Sequence, residues 1–223
     1  MDPQTQSAQT GRPDTHEMVV VHRMFRREAR LFPGLVRAVA PGDTKRAKVI
    51  AAAWRDNRDQ LHHHHTGEDD LLWPKLLARV DLEAELVLRM EEQHQVVADT
   101  LERATAMMDG WEAAALPDTR DHLADVLDEH EAALTEHFDD EERQVLPLVE
   151  QHVTIAEWQA LNDHAVETTP KHKLLHALGA LLEDASAEER AWIWPNVPPP
   201  ARLAWRAYGQ FAYRRAVRRV RGA

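Results

Sequence analysis

The chain contains no cysteine. That excludes a disulfide framework and any thiolate-held metal, a structural zinc included. Glycine is scarce, 8 in 223 residues, too few for a fold built on many tight turns. No apolar run approaches the length of a transmembrane helix, so no transmembrane segment is expected. Residues Met1 to Pro13 are polar and lack the apolar centre of a signal peptide. A soluble, cytoplasmic protein is therefore the expectation. The net charge of −11 argues against general nucleic-acid binding.

What is present points to helices. Hydrophobic residues make up 43% of the chain, enough for a packed core. Alanine, leucine, glutamate and arginine dominate, and these are strong helix formers. The expected fold class is all-α. The charge is unevenly spread. Residues 201–223 hold seven of the 27 basic residues and no acid, which leaves 20 basic residues against 38 acids elsewhere.

Punctuation along the chain divides it into four parts. Residues 1–13 are expected to be disordered. Asp14 with Glu17 reads as a capping pair opening a first helix that stops before Pro33-Gly34. Leu35 to Val39 continues it as far as Pro41-Gly42. Asp43 caps a second helix reaching about Trp73, where Pro74 bends or ends it. A third runs from about Asp81 to Met108, before Asp109-Gly110. A fourth opens at Leu116-Pro117-Asp118 and reaches about Leu146, with Pro147 as its breaker. Long helices joined by short turns predict an antiparallel four-helix bundle over residues 14–150. Shorter helices and a Pro-rich linker follow over 151–200, then a basic C-terminal helix over 201–223.

An internal duplication carries the functional signal. Leu61, His64, Glu68 and Pro74 recur as Leu134, His137, Glu141 and Pro147, all at an offset of 73. Upstream, Met18 and His22 recur as Met90 and His94, at an offset of 72. Each half thus reads Met-x3-His, a gap, then Leu-x2-His-x3-Glu-x5-Pro. A histidine and a glutamate four apart project from one helix face. Two such pairs and two single histidines bring His22, His64, Glu68, His94, His137 and Glu141 to a common axis of the bundle. So many buried polar groups would be very costly without a cation.

The donor count suits two octahedral ions, which need about twelve bonds. Two bridging glutamates, four histidines and one oxo or hydroxo bridge leave roughly two positions open, or one if a fifth histidine binds. Imidazole with carboxylate favours iron. Candidates for a fifth histidine are His63, His65 and His130. Successive residues of a helix turn by about 100°, so the run His62 to His65 cannot all point inward. The repeat selects His64, and the other three read mainly as rim residues. His130, seven residues before His137, reads as a hydrogen-bond donor behind the ligands. Gly67, between two candidate ligands, costs a helix about 1 kcal/mol relative to alanine, which implies a close neighbour or a local bulge. His16 is expected to be exposed. Met18 and Met90 read as core packing.

These residues resemble the hemerythrin-like, HHE cation-binding family over about residues 14–150. The stretches around His22 and around His62 to Pro74 are similar to a bacterial, actinobacterial-type branch of it. The resemblance implies a carboxylate-bridged di-iron centre in a four-helix bundle, binding oxygen or related small oxidants. His22 corresponds to the first-helix ligand, His64 and Glu68 to the second-helix pair, His94 to a third-helix ligand, and His137 and Glu141 to the fourth-helix pair. Two positions depart from the oxygen carriers. Their second third-helix histidine is Ala98 here, and their fourth-helix aspartate, five residues after its histidine, is Glu141 at four. Lasting reversible oxygen carriage is accordingly not expected.

The functional expectation is a di-iron protein that binds or senses oxygen, peroxide or nitric oxide. Two alternatives stand beside it. One is a di-iron enzyme consuming peroxide. The other is an iron-responsive regulator acting through the basic C-terminal helix. Besides a small diatomic or peroxide ligand, a second copy in a homodimer is an open arrangement.

Overall fold

The computed structural model describes residues 11–80 and 84–222. Its described residues form helices and their connections, with no strand among them. The expected disorder of residues 1–13 and the helix start at Asp81 lie largely outside the described residues.

Helix α1 spans His16–Arg37, α2 Thr44–Leu71, α3 Trp73–Arg79, α4 Ala84–Ala114 and α5 Pro117–Asp140. A π-helical turn, Glu141–Val145, joins α5 to α6, Leu146–His152. Short connections force neighbours to run antiparallel. α1 packs on α2 and α5, and α4 packs on the same two helices, so the four close a ring around one axis. Four further helices follow: α7 (Ile155–Thr168), α8 (Leu174–Glu183), α9 (Ala187–Asn196) and α10 (Pro199–Ala204). A second π-helical turn, Trp205–Gly209, then leads into α11 (Gln210–Arg221).

The helix boundaries follow local chemistry, with instructive exceptions. Asp43 caps α2 by accepting the Arg46 N–H. At α1 the Asp14 side chain accepts the His16 N–H, but Glu17 does not reach back; it accepts from Asn162 of α7. Pro33 does not stop α1. Phe32 and Val36 on either side of it are buried in the core, and their packing outweighs the one hydrogen bond that proline removes. α4 likewise runs through Gly110 to Ala114, and the turn comes at Ala115, which adopts a left-handed φ of 49°. Pro147 does not end the fourth helix either. It sits in the first turn of α6, and the ladder just upstream widens into the π-helical turn, where the Leu146 N–H reaches the Glu141 carbonyl.

Two apolar clusters fill the bundle. The larger contains Phe32, Trp54, Met108, Trp111, Leu127 and Phe138. The smaller contains Met18, Leu72, Trp73, Met90, Val145 and Leu146. The smaller obeys the duplication: Leu72 pairs with Val145 and Trp73 with Leu146 at the same offset of 73. Met18 and Met90 meet in it as packing residues. Complete burial of side chains of this size contributes about 1.5–3 kcal/mol each. The polar cluster described next lies between them.

Candidate metal centre

Six histidines and glutamates of the duplicated motif converge with a seventh residue. His22 comes from α1, His64, His65 and Glu68 from α2, His94 from α4, His137 from α5, and Glu141 from the π-helical turn. The ligating atoms of His65, Glu68, His94 and His137 lie within 4.8 Å of one another, and so do those of His22, His64 and Glu68. Glu68 belongs to both groups. Its Oε1 is 3.3 Å from His64 Nε2, and its Oε2 is 3.5 Å from His94 Nε2. Glu141 spans them from the other side, with Oε2 3.4 Å from His22 Nε2 and 3.7 Å from His137 Nε2.

Of the three candidates for a fifth histidine, His63, His65 and His130, it is His65, read mainly as a rim residue, that lies inside the group. It is 8% exposed, whereas His62 is exposed and His63 half-buried. The reason is angular. With successive residues about 100° apart, His64 and His65 flank the inward direction, and Glu68 is within a turn of both. The His65 ring stacks on His94 at 4.3 Å. Ala98, where the oxygen carriers hold another imidazole, is exposed. The side chain beside His94 therefore comes from α2 instead of α4.

His130 stands apart from the group. Its Nδ1 lies 3.0 Å from the Thr100 hydroxyl and its ring packs edge-on against Trp54. It belongs to the larger apolar core and backs none of the clustered imidazoles. Gly67 explains itself by close approach. A Cβ there would lie 3.1 Å from the His164 ring and 3.2 Å from Leu161, both on α7, which crosses α2 at this point. His16 is half exposed and bonds Glu189.

Two acids that the sequence reading passed over orient the single histidines. Asp69 Oδ1 lies 2.9 Å from His94 Nδ1, and Glu142 Oε1 lies 3.0 Å from His22 Nδ1. Each follows a clustered glutamate directly, and the two are again 73 residues apart. The acid of α2 thus fixes the ring of α4, and the acid after α5 fixes the ring of α1. Each bond turns the far nitrogen, Nε2, toward the axis, the arrangement by which proteins aim imidazoles at metals. Arg26 braces Glu142 at 2.6 Å.

The donor set fits a multivalent cation. His22 Nε2, His64 Nε2, His65 Nε2 and all four oxygens of Glu68 and Glu141 are buried without a hydrogen-bond partner. Unpaired buried polar atoms in such number are not tolerated without compensation. Burial holds His22 and His64 down to about 4 and His137 down to about 2. His65 is also held well below its usual range by burial. These rings keep free lone pairs. Burial and then the Glu68 charge push the Glu141 carboxyl well above the usual carboxylate range. His94 differs: burial opposes its charge, but the hydrogen bond to Asp69 and the Glu68 carboxylate 3.5 Å away prevail and push it up to about 10. Spacing agrees as well. Two nitrogens at right angles on one ion, each at about 2.1 Å, are about 3 Å apart, and His94 Nε2 lies 3.1 Å from His137 Nε2.

Among the described residues, no helix is long and apolar enough to cross a membrane. No curated protein and no solved structure matches the chain. A family model, the hemerythrin HHE cation-binding domain, matches residues 14–149, which takes in α1 to the π-helical turn and every residue of the cluster. The buried His and Glu cluster capable of holding metal is that domain's, and the chain belongs to the hemerythrin HHE cation-binding family.

Proposed function

We propose that the cluster holds two iron ions and that the protein uses them to bind or sense oxygen, peroxide or nitric oxide. His65, His94 and His137 serve one ion, His22 and His64 the other, and Glu68 and Glu141 bridge them. The observation that carries this is Glu68, whose two oxygens face two different histidine groups. A carboxylate serving a single ion would have no second set of nitrogens to face. Imidazole and carboxylate together, without thiolate, suit iron.

When bound, such an ion pair supplies coordination and electron exchange with a small oxygen- or nitrogen-containing ligand. The chain supplies the rest. His22, Glu68, His137 and Glu141 are fully buried, so the ligand must be small. Phe25 and Phe138 line the His22 and His64 side, their rings 5.2 Å from His64 and 3.9 Å from His22, and keep bulk water out. Asp69 and Glu142 hold two of the imidazoles in their tautomer. With His65 in the group, an imidazole from α2 stands in for the one lacking at Ala98, while Glu141 keeps its spacing of four from His137.

The test is metal analysis of protein purified anaerobically with iron supplied, followed by absorption spectra before and after air. About two irons per chain are expected. Zero or one iron in a folded protein would sink the dinuclear reading. Glu68→Ala and Glu141→Ala are each expected to lose metal, and if both retain it in full the bridging assignment is wrong. Reversible spectra in air against turnover of added peroxide separate a binding protein from a peroxide-consuming enzyme.

A further inference from the structure

The C-terminal helix docks on the bundle with one face and leaves another unsatisfied. Trp205, Gly209 and Tyr213 form the buried side. The Tyr213 ring lies over Gly179 of α8, and its hydroxyl donates to Glu183 at 2.5 Å. Arg221 pairs with Glu183 and Glu28. Arg46 of α2 donates to the Arg219 and Val220 carbonyls. One arginine of the seven is thus spent on the molecule's own acids.

The others are not. Arg206, Arg214, Arg215, Arg218 and Arg219 are exposed. Among the described residues, no carboxylate lies within ion-pairing distance of any of them, although the chain has 38 acids. Arg206 lies over the Trp194 ring at 5.4 Å. Arg206, Arg214 and Arg218 line a cleft of about 690 Å³ together with Arg190, Trp194 and Trp205. Apolar side chains stand out of the same segment: Leu203 is 70% exposed, Tyr208 64% and Phe211 61%. Leu203 is two residues from buried Trp205 and Phe211 two from buried Tyr213, so both lie on the outer side.

We propose that this outer face is a docking surface for an anionic lipid bilayer. The guanidinium fork matches phosphate oxygens. Cations clustered around exposed aromatic and aliphatic side chains are what the headgroup layer accepts, with the apolar groups entering the acyl boundary. A nucleic acid offers the phosphates but no apolar layer for Leu203. The acids nearest this face, Glu28 and Asp56 in the groove beside Tyr208 and Phe211, are already paired with Arg27 and Arg221 and with Lys173, and more distant ones are screened beyond a Debye length of about 8 Å. The folded helix would dock as it stands, because its other face is already committed to Gly179 and Glu183.

The experiment uses the full, metal-loaded chain in co-sedimentation at physiological salt. The vesicles are phosphatidylcholine alone, or phosphatidylcholine with one third phosphatidylglycerol. Binding to the anionic vesicles only is expected. The variant R214Q/R215Q/R218Q should weaken it about fivefold per arginine, on the order of a hundredfold together. Phe211→Ser should weaken it by a smaller factor that salt does not change. Both variants should keep helical content and iron. Should the triple variant misfold, the Phe211→Ser result and the salt dependence of the unaltered protein still decide. Equal binding to neutral vesicles, or none to anionic ones, overturns the proposal. So does a duplex DNA that binds where vesicles do not, or arginine-dependent self-association without vesicle binding.

Discussion

His65 and Phe138 occupy equivalent positions of the duplicated motif, 73 residues apart, and each stacks on the single imidazole of its own side. His65 lies on His94 at 4.3 Å, and Phe138 lies on His22 at 3.9 Å. The approximate two-fold symmetry of the cluster is therefore broken at one inner pair. One side gains a nitrogen donor and the other gains an apolar lid. In the two-iron reading the two ions are inequivalent, with three imidazoles and two.

The first prediction removes that inequality. His65→Phe copies the other half and keeps the stack on His94, so the fold should survive. The ion on the His94 and His137 side should lose a ligand and bind more weakly. Iron per chain should fall from about two toward one after dialysis against a chelator, because one of the roughly twelve expected bonds is lost. Retention of two equally tight ions would show that His65 packs beside the site without serving it.

A second prediction addresses Asp69 and Glu142. Each accepts from the Nδ1 of a clustered histidine and fixes the ring's tautomer. Loss of such a partner typically weakens metal binding about 10–100-fold. Asp69→Asn and Glu142→Gln are each expected to show this in chelator competition, with unchanged helical content. Asp69 is the cleaner case, because its side chain is half exposed and its removal disturbs little else. Glu142 also pairs with Arg26, which lies over the Phe138 ring at 5.3 Å, so its variant should also move the near-ultraviolet spectrum. Unaltered affinity in both variants would reduce these acids to surface charges.

What was legible in the sequence follows from how the duplication works. The offset of 73 identifies what the halves share, and so it singles out His64 with His137 and Glu68 with Glu141. It cannot show His65, because the other half has Phe138 there. Spacing held the missing signal: His65 is three residues before Glu68, on its face of the helix. Asp69 and Glu142 do share the offset but read as a solvated acidic run, since nothing in the local pattern tells an acid that reaches inward from one that does not. The helices were readable from their caps at Asp43 and Pro117. Pro33, Gly110 and Pro147 misled as stop signals, because buried neighbours on both sides, Phe32 and Val36, Met108 and Trp111, Leu146 and Val149, hold the helix across each of them. Gly67 gave away a close contact without naming its partner, His164.

Glu189 makes the stability of α9 depend on acid. It accepts from the Ser186 N–H in a capping box, from both terminal nitrogens of Arg23, and bonds His16. Arg23 first, then the Ser186 backbone, hold its carboxyl down from 4.5 to about 2. A depressed folded value stabilises the fold fully above the unfolded value, and that contribution is lost as pH falls from about 4.5 toward 2. Urea midpoints near neutral pH and at about pH 3 should therefore differ more for the unaltered protein than for Glu189→Gln. Parallel midpoints for the two proteins would show that Glu189 contributes nothing to the acid sensitivity.

Gly179 and Gly110 give opposite predictions for the same substitution. A Cβ at Gly179 would lie 2.4 Å from the Tyr213 ring and 3.0 Å from Trp205, closer than side chains approach. The Tyr213 ring cannot simply swing aside, because its hydroxyl is tied to Glu183. Gly179→Ala must lift the C-terminal helix instead, at a cost of about 1–3 kcal/mol, the usual range for overpacking. It should also increase binding of a hydrophobic dye as Trp205 is uncovered. Gly110 lies inside α4 with nothing within 4 Å of a new Cβ. Gly110→Ala should stabilise the protein by about 0.5–1 kcal/mol through helix propensity alone. Neither site touches the histidine cluster, so iron content should be unchanged in both. Equal unfolding midpoints for the two variants would mean that the helix does not rest on Gly179. Loss of iron in Gly179→Ala would instead mean that docking of the C-terminal helix is coupled to the metal centre.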